Sequence, residues 1–86
     1  MEYYVYILRS EIDGTLYKGS TTNYLKRLEE HNTGKSRYTA KKIPWNLIYL
    51  EKCNSKTDAL IREKSLKQSN QKYIHWLLQQ PINLIK

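Results

Sequence analysis

Tyr6 and Tyr17 are the first side chains whose types and spacing suggest chemistry. They lie in the stretch YYVYILRSEIDGTLYKG from Tyr3 to Gly19. Alternation along an extended chain puts Tyr4, Tyr6 and Leu8 on one face and Tyr3, Val5 and Ile7 on the other. If Glu11 to Gly14 form an even-membered loop, Tyr17 stands opposite Leu8, with Tyr6 diagonal to it at roughly 7–8 Å. Gly19 then falls opposite Tyr6 and should leave open space there, so that two hydroxyls flank a hollow. Downstream, Arg27 and His31 are spaced i and i+4 and share a helix face, with Tyr24 three residues before Arg27. Ala59, Glu63 and Leu66 lie on one stripe of a later helix. If that stripe is buried, the Glu63 carboxylate points toward the sheet and needs a basic partner or a metal ion. The other arrangement buries Leu60, Ile61 and Lys64 and leaves Glu63 solvated. Periodicity alone favours it, because charged side chains are rarely fully buried.

Each of these residues also has an ordinary use. Strand tyrosines commonly pack against a helix. Arg27 can pair with Glu30 or Glu63 at the surface, and His31 near a helix end can serve the helix dipole. His75, beside Trp76, has no partner at metal-ligand spacing and reads as structural.

The elements that must position these groups follow from local signals. Tyr3 to Arg9 is rich in β-branched and aromatic residues, Asp13-Gly14 is a turn dipeptide, and Thr15 to Ser20 resumes an extended pattern. Both faces of the first strand are apolar or aromatic, as expected of a central strand covered on both sides. Thr21-Thr22-Asn23 supplies capping residues for a helix to about Asn32, with Leu25 and Leu28 as its inward pair and Gly34 as its stop. A basic loop follows from Lys35 to Pro44, and Trp45 to Cys53 reads as a third strand. Asn54 or Ser55 caps a second helix to about Gln68, with Ser55 and Asp58 resembling a capping box. A third, short helix covers roughly Asn70 to Gln79 and buries Ile74, Leu77 and Leu78. No linker, repeat or low-complexity tract interrupts the chain. The expectation is one α+β domain over residues 1–86, a three-stranded antiparallel sheet flanked by about three helices in the order β-β-α-β-α-α.

The 86 residues carry a net charge of +7, with eight tyrosines, two tryptophans and no phenylalanine. That balance favours a polyanionic partner, most often nucleic acid. Tyrosine in place of phenylalanine keeps aromatic bodies near water. No basic helix has the broad apolar face of a membrane binder, and no apolar run could span a bilayer. Cys53, the one cysteine, sits in a predicted strand and reads as a buried, inert thiol. With no signal peptide, a reduced cytoplasmic setting is expected. No obligate protein partner is implied.

Taken together, these pieces resemble a known family. Val5-Tyr6-Ile7, then Tyr17-Lys18-Gly19, then Arg27-x-x-x-His31 on a helix and a glutamate on a later one are similar to the GIY-YIG nuclease superfamily, in its small single-domain bacterial form. Supporting stretches are Leu28-x-Glu30-His31-Asn32-x-Gly34, Tyr38-Thr39, Pro44-Trp45 and Ala59-x-x-Arg62-Glu63-x-x-Leu66-Lys67. The likeness runs from Tyr3 through the third helix. Val5 and Lys18 depart from the name-giving glycine and isoleucine, and neither change removes a reactive group.

The resemblance implies a nuclease site in which Tyr6, Tyr17, Arg27, His31 and Glu63 surround a scissile phosphodiester and one divalent cation, Mg²⁺ or Mn²⁺, on Glu63. Asn70 is a looser match to a further polar residue of the family. Hydrolysis needs an activated water, neutralised charge and leaving-group help. Arg27 could clamp the phosphate. Either Tyr6 or Tyr17 could act as base, with relay through His31, if nearby cations supply the roughly 4 kcal/mol needed to bring a phenol pKa of about 10 to neutrality. Lys18, Lys35, Arg37, Tyr38, Lys41 and Lys42 are the candidate contacts to nucleic acid, expected to be DNA bound mainly through phosphates. Two alternatives remain open. One is a binding module that keeps the fold without cleavage, and the other is a subunit whose exposed aromatics join a partner protein.

Overall fold

In a computed structural model describing residues 1–85, the chain runs β1 Tyr3–Ser10, β2 Leu16–Thr21, α1 Tyr24–Asn32, a 3₁₀ turn Ala40–Lys42, β3 Trp45–Cys53, α2 Lys56–Lys67 and α3 Gln71–Leu78. The sheet is antiparallel in the order β2-β1-β3. The expected α+β architecture and element order are therefore observed.

The register of the first hairpin follows from its even loop. Leu8 opposes Tyr17 and Tyr6 opposes Gly19, and the loop is closed by bonds from Ser10 N–H to the Thr15 carbonyl at 2.9 Å and from Gly14 N–H to the Ser10 carbonyl at 3.0 Å. Because β1 is central, both of its faces are covered. On one face Val5 and Ile7 pack with Tyr49, Ala59, Leu66, Ile74 and Leu77, so α2 and α3 lie there. On the other, Tyr6 and Leu8 pack with Trp45, Leu50, Tyr17, Tyr24 and Leu28, which places α1 there.

The β1–β3 register slips between Ile7 and Leu8, which oppose Tyr49 and Leu47 and leave Ile48 as the extra residue of a bulge. Trp45 and Leu47 consequently share a face with Leu50 and not with Tyr49. Asn83 secures this irregular edge. Its Oδ1 accepts from Leu50 N–H at 3.1 Å, and its Nδ2 donates to the Ile48 carbonyl at 3.1 Å and the Leu78 carbonyl at 3.0 Å.

The helix ends are chemically specified. The side chains of Asn23, Ser55 and Asn70 accept from Lys26, Asp58 and Tyr73 N–H and cap α1, α2 and α3. Gly34, at φ +80°, takes the left-handed position after α1, and Lys35 N–H reaches back to the Glu30 carbonyl at 3.1 Å. Cys53 packs at the edge of the core, where burial first, and then the nearby Glu51 charge, push its thiol pKa up.

Three expectations are corrected. Leu25 is 65% exposed and not an inward partner of Leu28, because Tyr24, Leu28 and His31 face the sheet instead. On α2, Leu60 and Ile61 are 49% and 64% exposed. The stripe of Ala59, Glu63 and Leu66 is the inner one, and Lys64 is exposed. Lastly, there is no hollow beside Tyr6 at Gly19. A Cβ built on Gly19 would lie 2.5 Å from the Tyr6 hydroxyl oxygen and 2.6 Å from its ring carbon Cζ, so the phenol itself fills that space.

Candidate functional site

The missing Gly19 side chain determines where the Tyr6 hydroxyl goes. The ring lies across β2, an edge strand, and its oxygen comes to rest 3.2 Å from His31 Nε2. His31 is fully buried, and its Nδ1 is 2.8 Å from Thr39 Oγ1. The Thr39 hydroxyl donates to the Ser36 carbonyl at 3.5 Å. A Thr39 hydroxyl so directed would accept Nδ1–H and leave the Nε2 lone pair to accept from the Tyr6 O–H. Burial, reinforced by the Arg27 charge, lowers the His31 pKa and keeps the ring neutral near pH 7.

The end of α1 is tied to β3, which fixes His31 in the core. Asn32 Oδ1 accepts from Trp45 N–H at 2.6 Å, and Asn32 Nδ2 donates to the Trp45 carbonyl at 3.0 Å. Trp45 Nε1 donates to the Thr39 carbonyl at 3.0 Å. One indole thus orders the loop that presents Thr39.

Arg27 is one turn before His31. Its guanidinium pairs with Glu30 at 2.9 Å and faces the Tyr6 hydroxyl. Burial opposes its charge, but Tyr6 and Glu30 more than offset that and hold its pKa above the usual value. Tyr6 is displaced upward. Burial dominates, Arg27 works against it, and the charge of Glu63 adds to it. Glu63 comes from the helix on the other face and is tied to Ser20, the neighbour of the Gly19 that opposes Tyr6. The route is around the free edge of β2. Ser20, on the α2 side of that strand, donates to Glu63 Oε1 at 2.7 Å, and Lys67 Nζ is 2.8 Å from Oε2.

Tyr17 is half-buried and stacks at a tilt on His31, with ring centres 4.7 Å apart, and lies 6.3 Å from Tyr6. Tyr17, Lys18, Tyr38 and Lys67 line an open groove beside the strand edge. Of the other candidates, Lys35, Arg37 and Lys41 are exposed, and Tyr38 is 83% exposed. Lys42 is occupied: it pairs with Asp13 and donates to Thr15 Oγ1 at 3.1 Å, tying the basic loop to the hairpin. Asn70 is exposed and serves as the cap of α3, with its side-chain oxygen 2.8 Å from Tyr73 N.

Two participants were not foreseen. Thr39 was named only within the Tyr38-Thr39 stretch and not as a site residue, since it lies eight residues after His31 across a loop. Lys67 stands i+4 from Glu63, a spacing at which a Glu–Lys pair is expected. The neighbouring Arg62 points elsewhere, with Nε 3.0 Å from Glu51 Oε1, and Tyr49 also donates to that oxygen. This network anchors α2 to β3 on the core side.

Glu63 and the neighbouring Ser20 hydroxyl offer oxygen ligands, and a lysine ammonium already occupies a cation position on Oε2. Both features fit a hard divalent ion held by one carboxylate with water and phosphate oxygens completing its shell. Among the described residues, no three His, Cys, Asp or Glu side chains gather into a cage made by protein alone. No described helix is long and apolar enough to cross a membrane.

Comparison with known proteins identifies the family and the fold. The family model described as the GIY-YIG catalytic domain matches residues 2–76. A UPF0213 protein of Streptococcus agalactiae serotype V is 47% identical over 66 residues, covering 76% of this chain and 74% of that protein. A UPF0213 protein of Syntrophus aciditrophicus is 46% identical over 67 residues, covering 76% of each. The solution NMR structure of a UPF0213 protein from Bacillus halodurans superimposes with a TM-score of 0.61 at 30% identity, over 99% of this chain and 90% of that one.

Proposed function

The chain belongs to the GIY-YIG family, a nuclease superfamily, and from that membership we propose that it is an endonuclease hydrolysing phosphodiester bonds in DNA with little sequence preference. The observation that carries this reading is the surroundings of the Tyr6 hydroxyl. It has an imidazole nitrogen at 3.2 Å, a guanidinium facing it, and opposite it Gly19, whose neighbour Ser20 holds the Glu63 carboxylate. The catalytic set is Tyr6, Tyr17, Arg27, His31 and Glu63. Nucleic acid is held by Lys18, Lys35, Arg37, Tyr38 and Lys41, in a cytoplasmic setting and without an obligate protein partner.

In the free protein the proton rests on Tyr6. A phenol near pH 10 and an imidazole near 6.5 differ by about 3.5 units, or about 5 kcal/mol, and burial moves the two further apart. Arg27 already favours the ionised phenol, and the negative charge on Glu63 opposes it. Glu63 would hold a Mg²⁺ or Mn²⁺ ion, which when bound would supply charge neutralisation for the transition state. With Arg27 beside it, the Tyr6 hydroxyl can pass its proton to His31 Nε2, 3.2 Å away, as its oxygen takes a proton from the attacking water. The water oxygen then bonds to phosphorus as the bond to the leaving oxygen breaks. The leaving oxygen takes up a proton from solvent, His31 gives back the proton it accepted, and Arg27 holds the phosphate through the transition state. Tyr17, stacked on His31, covers the relay and borders the groove along which DNA would approach.

A second reading, a DNA-binding module without cleavage, is favoured by one observation. Both oxygens of Glu63 already have partners. A cleavage panel on plasmid and branched DNA separates the two readings. Scission should require Mg²⁺ or Mn²⁺ and disappear in Glu63→Ala and Arg27→Ala. Salt-dependent binding without scission would support the module instead.

A further inference from the structure

We propose that Lys67 is a built-in counter-cation that occupies the ion position on Glu63 in the free protein, gives way to the divalent ion, and then contacts substrate phosphate in the groove beside Tyr17. This rests on the reading of Glu63 as the residue that holds the ion.

The two carboxylate oxygens of Glu63 are not equivalent. Oε1 is fixed by a hydroxyl on the neighbouring strand, with Ser20 Oγ at 2.7 Å. Oε2 is held by the Lys67 ammonium at 2.8 Å, one turn along the same helix. The partners also differ in freedom, since the Lys67 side chain is 56% exposed and that of Glu63 19%. The lysine can swing away on its flexible stem while the carboxylate stays in place. Two cations crowded on one oxygen repel, so ammonium and divalent ion exclude each other there. On leaving, Lys67 remains among Tyr17, Lys18 and Tyr38, which line the groove with it. A phosphate in that groove would stabilise the released ammonium. DNA should therefore favour ion binding, and the ion should favour DNA binding by the same factor.

The test is an NMR titration of the intact protein with Mn²⁺, following paramagnetic broadening of the Ser20 and Glu63 amides in wild type, Lys67→Met and Glu63→Gln. Lys67 is exposed and methionine is a good helix former, so the first variant should fold. Its half-broadening concentration should fall roughly fivefold, the low end of usual coupling strengths, and Glu63→Gln should lose the local effect. In a Tyr6→Phe background, which keeps DNA intact, a short oligonucleotide should tighten Mn²⁺ binding in the protein with Lys67 and much less in the one with methionine. If Glu63→Gln loses the site but Lys67→Met binds Mn²⁺ no tighter than wild type, the counter-cation role is wrong while Glu63 keeps its ion. If wild type and Glu63→Gln respond alike, the assignment of the ion to Glu63 falls, and the role of Lys67 falls with it.

Discussion

The hydroxyl of Tyr6 and Nε2 of His31 stand 3.2 Å apart inside the protein, and Thr39 holds the far nitrogen of the ring at 2.8 Å. A buried phenol, a buried neutral imidazole and a threonine thus form one line of hydrogen bonds that ends at the free edge of β2. Removing the first hydroxyl should stop the chemistry without unfolding the protein. Tyr6→Phe should lower the cleavage rate by about 10²–10⁴, as expected for loss of a general base, with DNA affinity unchanged. The orphaned Nε2 should cost about 1 kcal/mol of stability. Single-turnover rates, DNA binding and urea unfolding of the variant check all three.

Gly19 should be intolerant of the smallest addition. An alanine methyl would lie 2.5 Å from the Tyr6 oxygen, and the ring is buried and cannot retreat. Gly19→Ala is expected to destabilise by about 1–3 kcal/mol through overpacking and to lower the cleavage rate by displacing the phenol. Unfolding midpoints and rates measured on the same preparation test this.

How much of this was legible beforehand differs residue by residue. The pairing of Tyr6 with Gly19 followed from alternation and an even loop, because strand geometry is nearly invariant. The lean of the Tyr6 ring over Gly19 did not, since opposition across a ladder says nothing of rotamer. Glu63 was ambiguous because α2 carries Leu60 and Ile61 on its outer side, so apolarity failed to mark the inner one. The bulge at Ile48 left no trace in composition. The bond of Thr39 to His31 was not legible for a different reason: its partner is brought to it by Trp45 and Asn32, and that contact exists only once the sheet is assembled.

Thr39 should act through the tautomer of His31. Thr39→Val removes the acceptor for Nδ1–H, whereas Thr39→Ser preserves it. The valine variant is expected to shift the acid limb of the pH–rate profile and lower the rate, and serine should restore both. Identical profiles for valine and wild type would show that Thr39 only packs.

Stability should decline on the acid side through His31. Its pKa is lower in the folded protein than in the unfolded chain, so below about 6.5 the unfolded state binds the additional proton. The contribution is fully present above that pH and is lost as pH falls toward the folded value. Thermal melts between pH 7 and 5 should show Tm falling in wild type and falling less in His31→Gln, where the titrating group is gone.

The most direct test of the site is a double-mutant cycle on the single-turnover cleavage rate with Tyr6→Phe and Glu63→Gln. Residues acting as one catalytic unit give non-additive losses. The double variant should therefore be no slower than about the worse of the two single variants. A double variant whose loss equals the product of the two separate losses, or single variants that cut as fast as wild type, would mean that the phenol and the carboxylate do not serve one phosphodiester.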